Sequence, residues 1–200
     1  MSSGLDLWFD FASTYSYPAV MRIAPLAREA DVAVRLRPFL LGPAFKAQGW
    51  TTSPFNLFVM KGRNMWRDVE RLCGDLALPF RRPEPFPQNS LLAARVALVG
   101  LSAAWGEAFC RAVFVAEFAE GRQIDDPAVI GGILARLAVE PAPVLAAAQG
   151  EENKARLRTE TEEAQRLGIF GAPSFTTADG ELFWGNDRLE RALVWAKSGR

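Results

Sequence analysis

The chain has 200 residues, half of them hydrophobic, which is ample for a packed core without disulfide or metal staples and fits one domain or one domain with an inserted unit. Its 23 basic and 23 acidic residues balance, so no electrostatic nucleic-acid surface is expected. It has no histidine, which removes Ser-His-Asp and Cys-His relays, His-ligated zinc and the usual general base near neutral pH.

Acidic and polar residues interrupt the first ten positions, so no secretory signal is expected and a cytosolic location is the default. Leu5 to Phe11 is short, apolar and aromatic, and reads as a strand. It ends in Ala12-Ser13-Thr14-Tyr15-Ser16, a hydroxyl-rich turn suited to capping a helix over residues 17–30, with Pro18 in its first turn and a kink expected at Pro25. Residues 32–38 alternate apolar and polar and predict a second strand, making a right-handed parallel βαβ unit. Residues 42–54 hold several Gly, Pro and Ser/Thr and read as a long, functional loop.

Residues 58–167 are patterned almost wholly as helix: 58–76, 88–101, 105–120, 127–137, 142–148 and 151–167. Pro83, Pro85 and Pro87 form an extended spacer between the first two. The most apolar stretch, 90–105, is broken by Arg95 and falls short of the roughly 18 residues of a membrane span. Cys73 and Cys110 sit inside helical patterns, form no C-x-x-C, and read as buried thiols. Strand character returns at Gly168 to Thr177, followed by the hairpin turn Ala178-Asp179-Gly180, a partner strand from Glu181 to Trp184, and a last helix over 188–197 with Asn186 or Asp187 as its N-cap.

Three places could carry chemistry. Ser13 to Ser16, at the start of the first helix, offers unpaired N–H groups and a favourable dipole to an anion, or simply caps the helix. Pro173, in Gly171-Ala172-Pro173, stands where a proline can enter a strand only at its start, an edge or a bulge; a cis bond there leaves the backbone of Ala172 free for a peptide-like ligand, while a trans bond merely ends a loop. Trp184-Gly185-Asn186-Asp187 offers an amide, a carboxylate and helix-start N–H groups to an amino-acid head group, or again only caps.

These three motifs, on a βαβ–helices–ββα order, resemble the 2-hydroxychromene-2-carboxylate isomerases, relatives of the kappa-class glutathione transferases in the DsbA-like thioredoxin superfamily. The resemblance rests on Phe9-Asp10-Phe11-Ala12-Ser13-Thr14-Tyr15-Ser16-Tyr17, Phe170-Gly171-Ala172-Pro173 and Trp184-Gly185-Asn186-Asp187-Arg188. It implies an α/β, thioredoxin-like fold over residues 1–57 and 168–200, interrupted by a helical insertion at 58–167. Ser13 and Ser16 occupy the two cysteine positions of the redox members, which excludes disulfide exchange there. The resemblance also implies a glutathione cofactor. Ser13 would contact its sulfur, Ala172 before a cis Pro173 would pair with its cysteinyl unit, and Trp184, Gly185, Asn186 and Asp187 would receive its γ-glutamyl end. Lys46 and Asn56 match positions that face substrate, whereas Thr14, Leu57 and Phe86 stand where a proline, an arginine and a tyrosine are usual. A homodimer acting on a small aromatic molecule, without nucleic acid, membrane or metal, completes what the likeness implies.

In the absence of histidine, Ser13 is expected to donate a hydrogen bond to a glutathione thiolate rather than to attack substrate itself. Lys46 is expected to hold a substrate carboxylate and Asn56 to orient a carbonyl or hydroxyl. A transferase that leaves glutathione on its product, and a non-enzymatic interaction module with serines in place of cysteines, are the alternatives at this point.

Overall fold

The computed structural model describes residues 4–199; positions 1–3 and 200, assigned above to the thioredoxin-like unit, lie outside the described residues. The expected βαβ unit is present. β1 (Gly4–Phe9) and β2 (Ala33–Pro38) run parallel, joined by α1 (Ser16–Ala30), which continues through Pro25. β3 (Ser174–Thr177) pairs antiparallel with the other edge of β1, and β4 (Leu182–Trp184) pairs antiparallel with β3. The sheet order is therefore β2-β1-β3-β4, with β1 central. Asp31, in the left-handed conformation at φ 56°, ends α1, and its own and the next N–H are returned to the helix's last carbonyls.

All six helices expected between residues 58 and 167 form: α4 (Val59–Asp75), α5 (Leu91–Leu101), α6 (Gly106–Phe118), α7 (Pro127–Arg136), α8 (Pro141–Gln149) and α9 (Glu151–Arg166). The expected long loop differs, because residues 41–57 contain α2 (Leu41–Ala47) and α3 (Pro54–Leu57). Their prolines fall in first turns, where the missing N–H leaves no helix bond unmade, and Ser53 accepts from Phe55 N–H to cap α3. The last helix, α10 (Leu189–Ser198), also departs from expectation. A 3-10 turn over Asn186–Arg188 precedes it, and neither Asn186 nor Asp187 caps it through a side chain.

Period-two alternation gives β1 two buried faces. Leu5, Leu7 and Phe9 join Tyr17, Val20 and Ile23 of α1 and Val113 and Phe114 of α6 in one core. Phe9, Phe11 and Phe114 meet with ring centroids 5.0–5.8 Å apart. Removing one such ring costs about 3–5 kcal/mol. On the opposite face Trp8 packs with Phe39, Ala164 and Ile169. The Arg37 guanidinium lies 3.9 Å above the Trp8 ring and reaches Glu160 of α9 at 2.8 Å. The helical block and the sheet thus share a continuous core, which fixes the end of β1 rigidly against α6. Cys73 and Cys110 are buried and unpaired, and burial pushes the Cys73 thiol up to about 11. Among the described residues no helix is long and apolar enough to cross a membrane.

Candidate functional site

A cleft of ≈ 1240 Å³ opens at the carboxyl end of β1. Its inner wall is the corner where the start of α1, the loop before β3 and the turn after β4 converge. Its outer wall runs through α2, the start of α3, one side of α4 and the segment around Phe86.

Ser13 lies at the centre of the inner wall. It is 8% exposed. Its Oγ donates to the Ala172 carbonyl at 2.8 Å and accepts from Ser16 N–H at 3.3 Å. The Ala172–Pro173 bond is cis. Ser13 and Ala172, 159 positions apart in the chain, are thus brought together at one corner. Among the described residues no carboxylate or amine is bonded to the Ser13 hydroxyl. Ser16, at the second cysteine position, is fully buried and its Oγ has no partner.

The turn after β4 completes the corner. Trp184 is half exposed, packs edge-on against Phe170 at 4.8 Å, and lies directly on Gly171, where a Cβ would come within 2.4 Å of the indole nitrogen. Gly185 N–H donates to the Pro173 carbonyl at 2.9 Å. Its φ of 109° favours glycine, and a Cβ there would meet the Asp187 carboxylate at 2.5 Å. Asn186 is buried with Oδ1 unpartnered, while Asp187 is exposed and pairs with Arg188 at 2.9 Å. Because neither side chain caps α10, an amide oxygen and a carboxylate remain at the cleft edge. Trp184, Gly185, Asn186 and Asp187 all line the cleft, as do Ser13 and Ala172; Pro173 stands behind them.

On the outer wall, Lys46 and Asn56, expected to face substrate, are exposed and are not among the residues that line the cleft. In α2 the lining residues are Leu41, Gly42, Pro43 and Phe45, with Gln48 just beyond it. Asn56 is exposed, and its Nδ2 is committed to the Phe86 carbonyl at 3.1 Å and Thr52 Oγ1 at 3.3 Å. It ties the two halves of the wall together instead of facing the cavity. Phe86 itself lines the cleft.

Several polar groups at the site were not anticipated. Tyr15, two residues after Ser13, donates its hydroxyl to Asp68 at 2.8 Å, and Arg71 reaches the other oxygen of Asp68 at 3.3 Å. Burial, then the bond to Asp68, pushes the Tyr15 phenol up, so it stays protonated. Lys61, Asp68, Leu72 and Asp75 follow one another along one side of α4, a stripe the sequence carried but which resembles an ordinary solvated helix face. Asp10 closes the floor. Its carboxylate accepts Leu41 N–H at 2.7 Å and Ala12 N–H at 3.0 Å, and Ser90 bonds to it as well. Behind it, Glu117 of α6 is fully buried with neither oxygen partnered. Burial, then the nearby Asp10, raises the Glu117 pKa well above the carboxylate range, and burial raises that of Asp10. Among the described residues no cluster of three metal-binding side chains exists.

The DsbA-like thioredoxin domain matches residues 4–193. A 2-hydroxychromene-2-carboxylate isomerase of Sphingobium xenophagum is 31% identical over 196 residues, covering 95% of this chain and 96% of that protein. The solved structure of a 2-hydroxychromene-2-carboxylate isomerase superposes with a TM-score of 0.84 at 24% identity, over 98% of this chain and 95% of the other. A probable DsbA oxidoreductase from Streptomyces coelicolor gives 0.77 at 17% identity, over 98% and 91%. The cytosolic disulfide reductase DsbM from Pseudomonas aeruginosa, solved with GSH, gives 0.67 at 18%, over 96% and 95%. These structural likenesses establish the fold.

Proposed function

The chain belongs to the DsbA-like thioredoxin family and to its 2-hydroxychromene-2-carboxylate isomerases, and on that premise we propose that it isomerises 2-hydroxychromene-2-carboxylate or a similar aromatic-degradation intermediate, using glutathione held beside Ser13. The observation that carries the reading is the Ser13–Ala172 corner. There a hydroxyl without a base, a strand-entry backbone and a helix start converge on one cleft.

The residues present fit glutathione. The unpartnered Asn186 Oδ1 and the Asp187 carboxylate suit an ammonium group at the γ-glutamyl end. The Ala172 carbonyl accepts from Ser13 and would become available to a peptide N–H if that hydroxyl turned to a sulfur. Lys61 lines the cleft with its Nζ 4.7 Å from the Phe58 ring centroid and makes no salt bridge among the described residues, so it can meet a carboxylate of glutathione. When bound, glutathione would supply a thiolate, a nucleophile suited to a carbon conjugated with a ketone.

The chain's own residues would stabilise that thiolate. The Ser13 hydroxyl would donate to the sulfur, and the start of α1 brings the positive end of the helix dipole to the same corner. A thiol pKa lowered by one unit corresponds to about 1.4 kcal/mol of this stabilisation. The aromatic lining, with Phe45, Trp50, Phe55 and Phe86, excludes water from a flat substrate.

Calorimetric titration with glutathione, run beside turnover of 2-hydroxychromene-2-carboxylate, tests the reading. Binding in the micromolar-to-millimolar range is expected, weakened by Asp187→Ala, with altered proton release in Ser13→Ala and no net consumption of glutathione during turnover. A protein that binds no glutathione, or that isomerises without it, overturns the reading. Consumption of glutathione replaces the isomerase with a transferase.

A further inference from the structure

Among the described residues three cations line the cleft: Lys61, Arg71 and Arg188. Lys46, the sequence's candidate for a substrate carboxylate, is not among them. Arg188 is committed to Asp187 through Nη1 at 2.9 Å. Lys61 stands in the first turn of α4, ten residues and so about 15 Å along the helix from Arg71. Arg71 is the cation linked to the segment that carries Ser13. Tyr15, two residues beyond Ser13, donates to Asp68 Oδ2, and Asp68 Oδ1 accepts from Arg71 Nη2.

This chain of bonds has two consequences. Asp68 fixes the direction of both neighbours, yet engages the guanidinium through a single 3.3 Å contact, leaving four of its five N–H donors for a planar anion. Tyr15, held protonated, lies close enough to Arg71 and Asp187 to feel both charges, so the cluster sits between the α1 start and the turn after β4. Leu72 of the same helix and Phe86 line the cleft as well, adding apolar surface that favours an aromatic acid over a hydrated inorganic anion.

We propose that Arg71, oriented by Asp68 and flanked by the Tyr15 hydroxyl, receives the carboxylate of the substrate. The substrate class follows: an aromatic 2-oxo acid whose carboxylate, borne on the ketone carbon and not on the carbon that would take up the thiolate, lies towards α4. The identity of the reaction rests on the isomerase reading above; the anion site does not, and the experiment separates the two.

The probes are 2-oxo-4-phenylbutanoate, which lacks the double bond needed for thiolate addition, and its methyl ester. Binding is read from tryptophan fluorescence with glutathione present, and turnover is measured separately on 2-hydroxychromene-2-carboxylate. Arg71→Met is expected to weaken the acid about tenfold or more and the ester less than about twofold. It should raise the substrate KM by a similar factor with kcat within about threefold, and leave the glutathione dissociation constant unchanged. Arg71→Lys restores part of the affinity, because it keeps the charge and loses the fork. Lys46→Met, at an exposed position that does not line the cleft, leaves the acid's affinity unchanged. Asp68→Asn is expected to weaken the acid by a few-fold at constant kcat, as a positioning residue should. Equal weakening of acid and ester, an acid that the native protein does not bind, or loss confined to glutathione or transferred to Lys61→Met overturns the proposal. An acid bound through Arg71 by a protein with no isomerase turnover upholds the anion site and removes the isomerase reading.

Discussion

The inner wall of the cleft, with Ser13, Ala172 and Trp184, grows from the ends of strands, while the outer wall, residues 41–61 and the segment around Phe86, grows from short helices and a proline-rich stretch. On the inner wall, position is dictated by backbone. β1 ends at Phe9, α1 begins at Ser16, and a proline must enter β3 at its first residue or outside the ladder, so Ser13 and Ala172 have little freedom to be elsewhere. On the outer wall, which side chain faces the cavity depends on the phase of a helix, and a one-residue error rotates it away by about 100°. The same cleft therefore has one wall whose chemistry follows from chain order and one whose chemistry follows from packing.

The sharpest way to break this comparison is at Ser13. Ser13→Ala removes the donor without removing volume that the core needs, since the side chain bonds only to the Ala172 carbonyl and the Ser16 amide. Turnover should fall by at least about tenfold, or 1.4 kcal/mol and more, with the melting temperature little changed. The 240 nm absorbance of bound thiolate, followed against pH, should move to higher pH in the variant. Full activity in Ser13→Ala would mean that the inner wall is only structural.

Next in expected size is the floor beneath that wall. Glu117 is fully buried without a partner, and its folded pKa is raised well above 4.5. A carboxyl raised in the folded state stays protonated there while its unfolded counterpart ionises. Its contribution to stability is therefore complete below about pH 4.5 and is lost as pH rises towards the folded value. Glu117→Gln keeps the shape and cannot ionise, so its urea midpoint should exceed that of the native protein by an amount that grows between pH 5 and pH 8, reaching about 1–3 kcal/mol. A difference independent of pH would mean that Glu117 is ionised and paired in solution, and that the floor is not dry.

A smaller effect tests how closely the inner wall is packed. Gly171→Ala puts a Cβ where the Trp184 indole lies, so the ring must swing out into the cleft edge. The tryptophan emission should shift and glutathione affinity should drop by a few-fold, about 1 kcal/mol, with isomerase kcat at saturating glutathione nearly unchanged. Loss of kcat without loss of affinity would place Trp184 against the substrate instead of the cofactor.

These contrasts explain what could be read from the residues alone. The fold was legible because β1 is a dense apolar run followed by hydroxyls, residues 58–167 keep helical period outside the proline spacer, and a strand after Gly171-Ala172-Pro173 was one of the readings that proline allowed. The corner was legible for the same reason, though its hydroxyls suggested caps until Ser13 met Ala172. What stayed hidden depended on tertiary partners. Gly42 and Pro43 signal a turn as strongly as they signal a first helical turn, and the charged stripe of α4 looks like a solvent face until Tyr15 arrives from α1. Glu117 lies in an amphipathic helix beside Glu120, and nothing local distinguishes the buried acid from the exposed one.

The smallest expected effect is the most direct test of the outer wall, because it opposes what the likeness to the isomerases implies. Lys46 is exposed and does not line the cleft, so Lys46→Ala should change neither the substrate KM nor kcat by more than about twofold, consistent with the neutrality of most surface substitutions. Asn56→Ala differs, because it releases the Phe86 carbonyl at 3.1 Å and with it the contact between α3 and the proline-rich segment. That loss is worth about 0.5–1.5 kcal/mol and should appear in local protection of residues 84–88 to hydrogen exchange more than in turnover. The pair discriminates between two geometries of the wall. Near-silence at Lys46 with loosening at Asn56 fits a wall whose polar residues are braces. A tenfold rise in KM at Lys46 would instead require α2 to unwind or rotate when substrate binds, bringing position 46 across the mouth of the cleft.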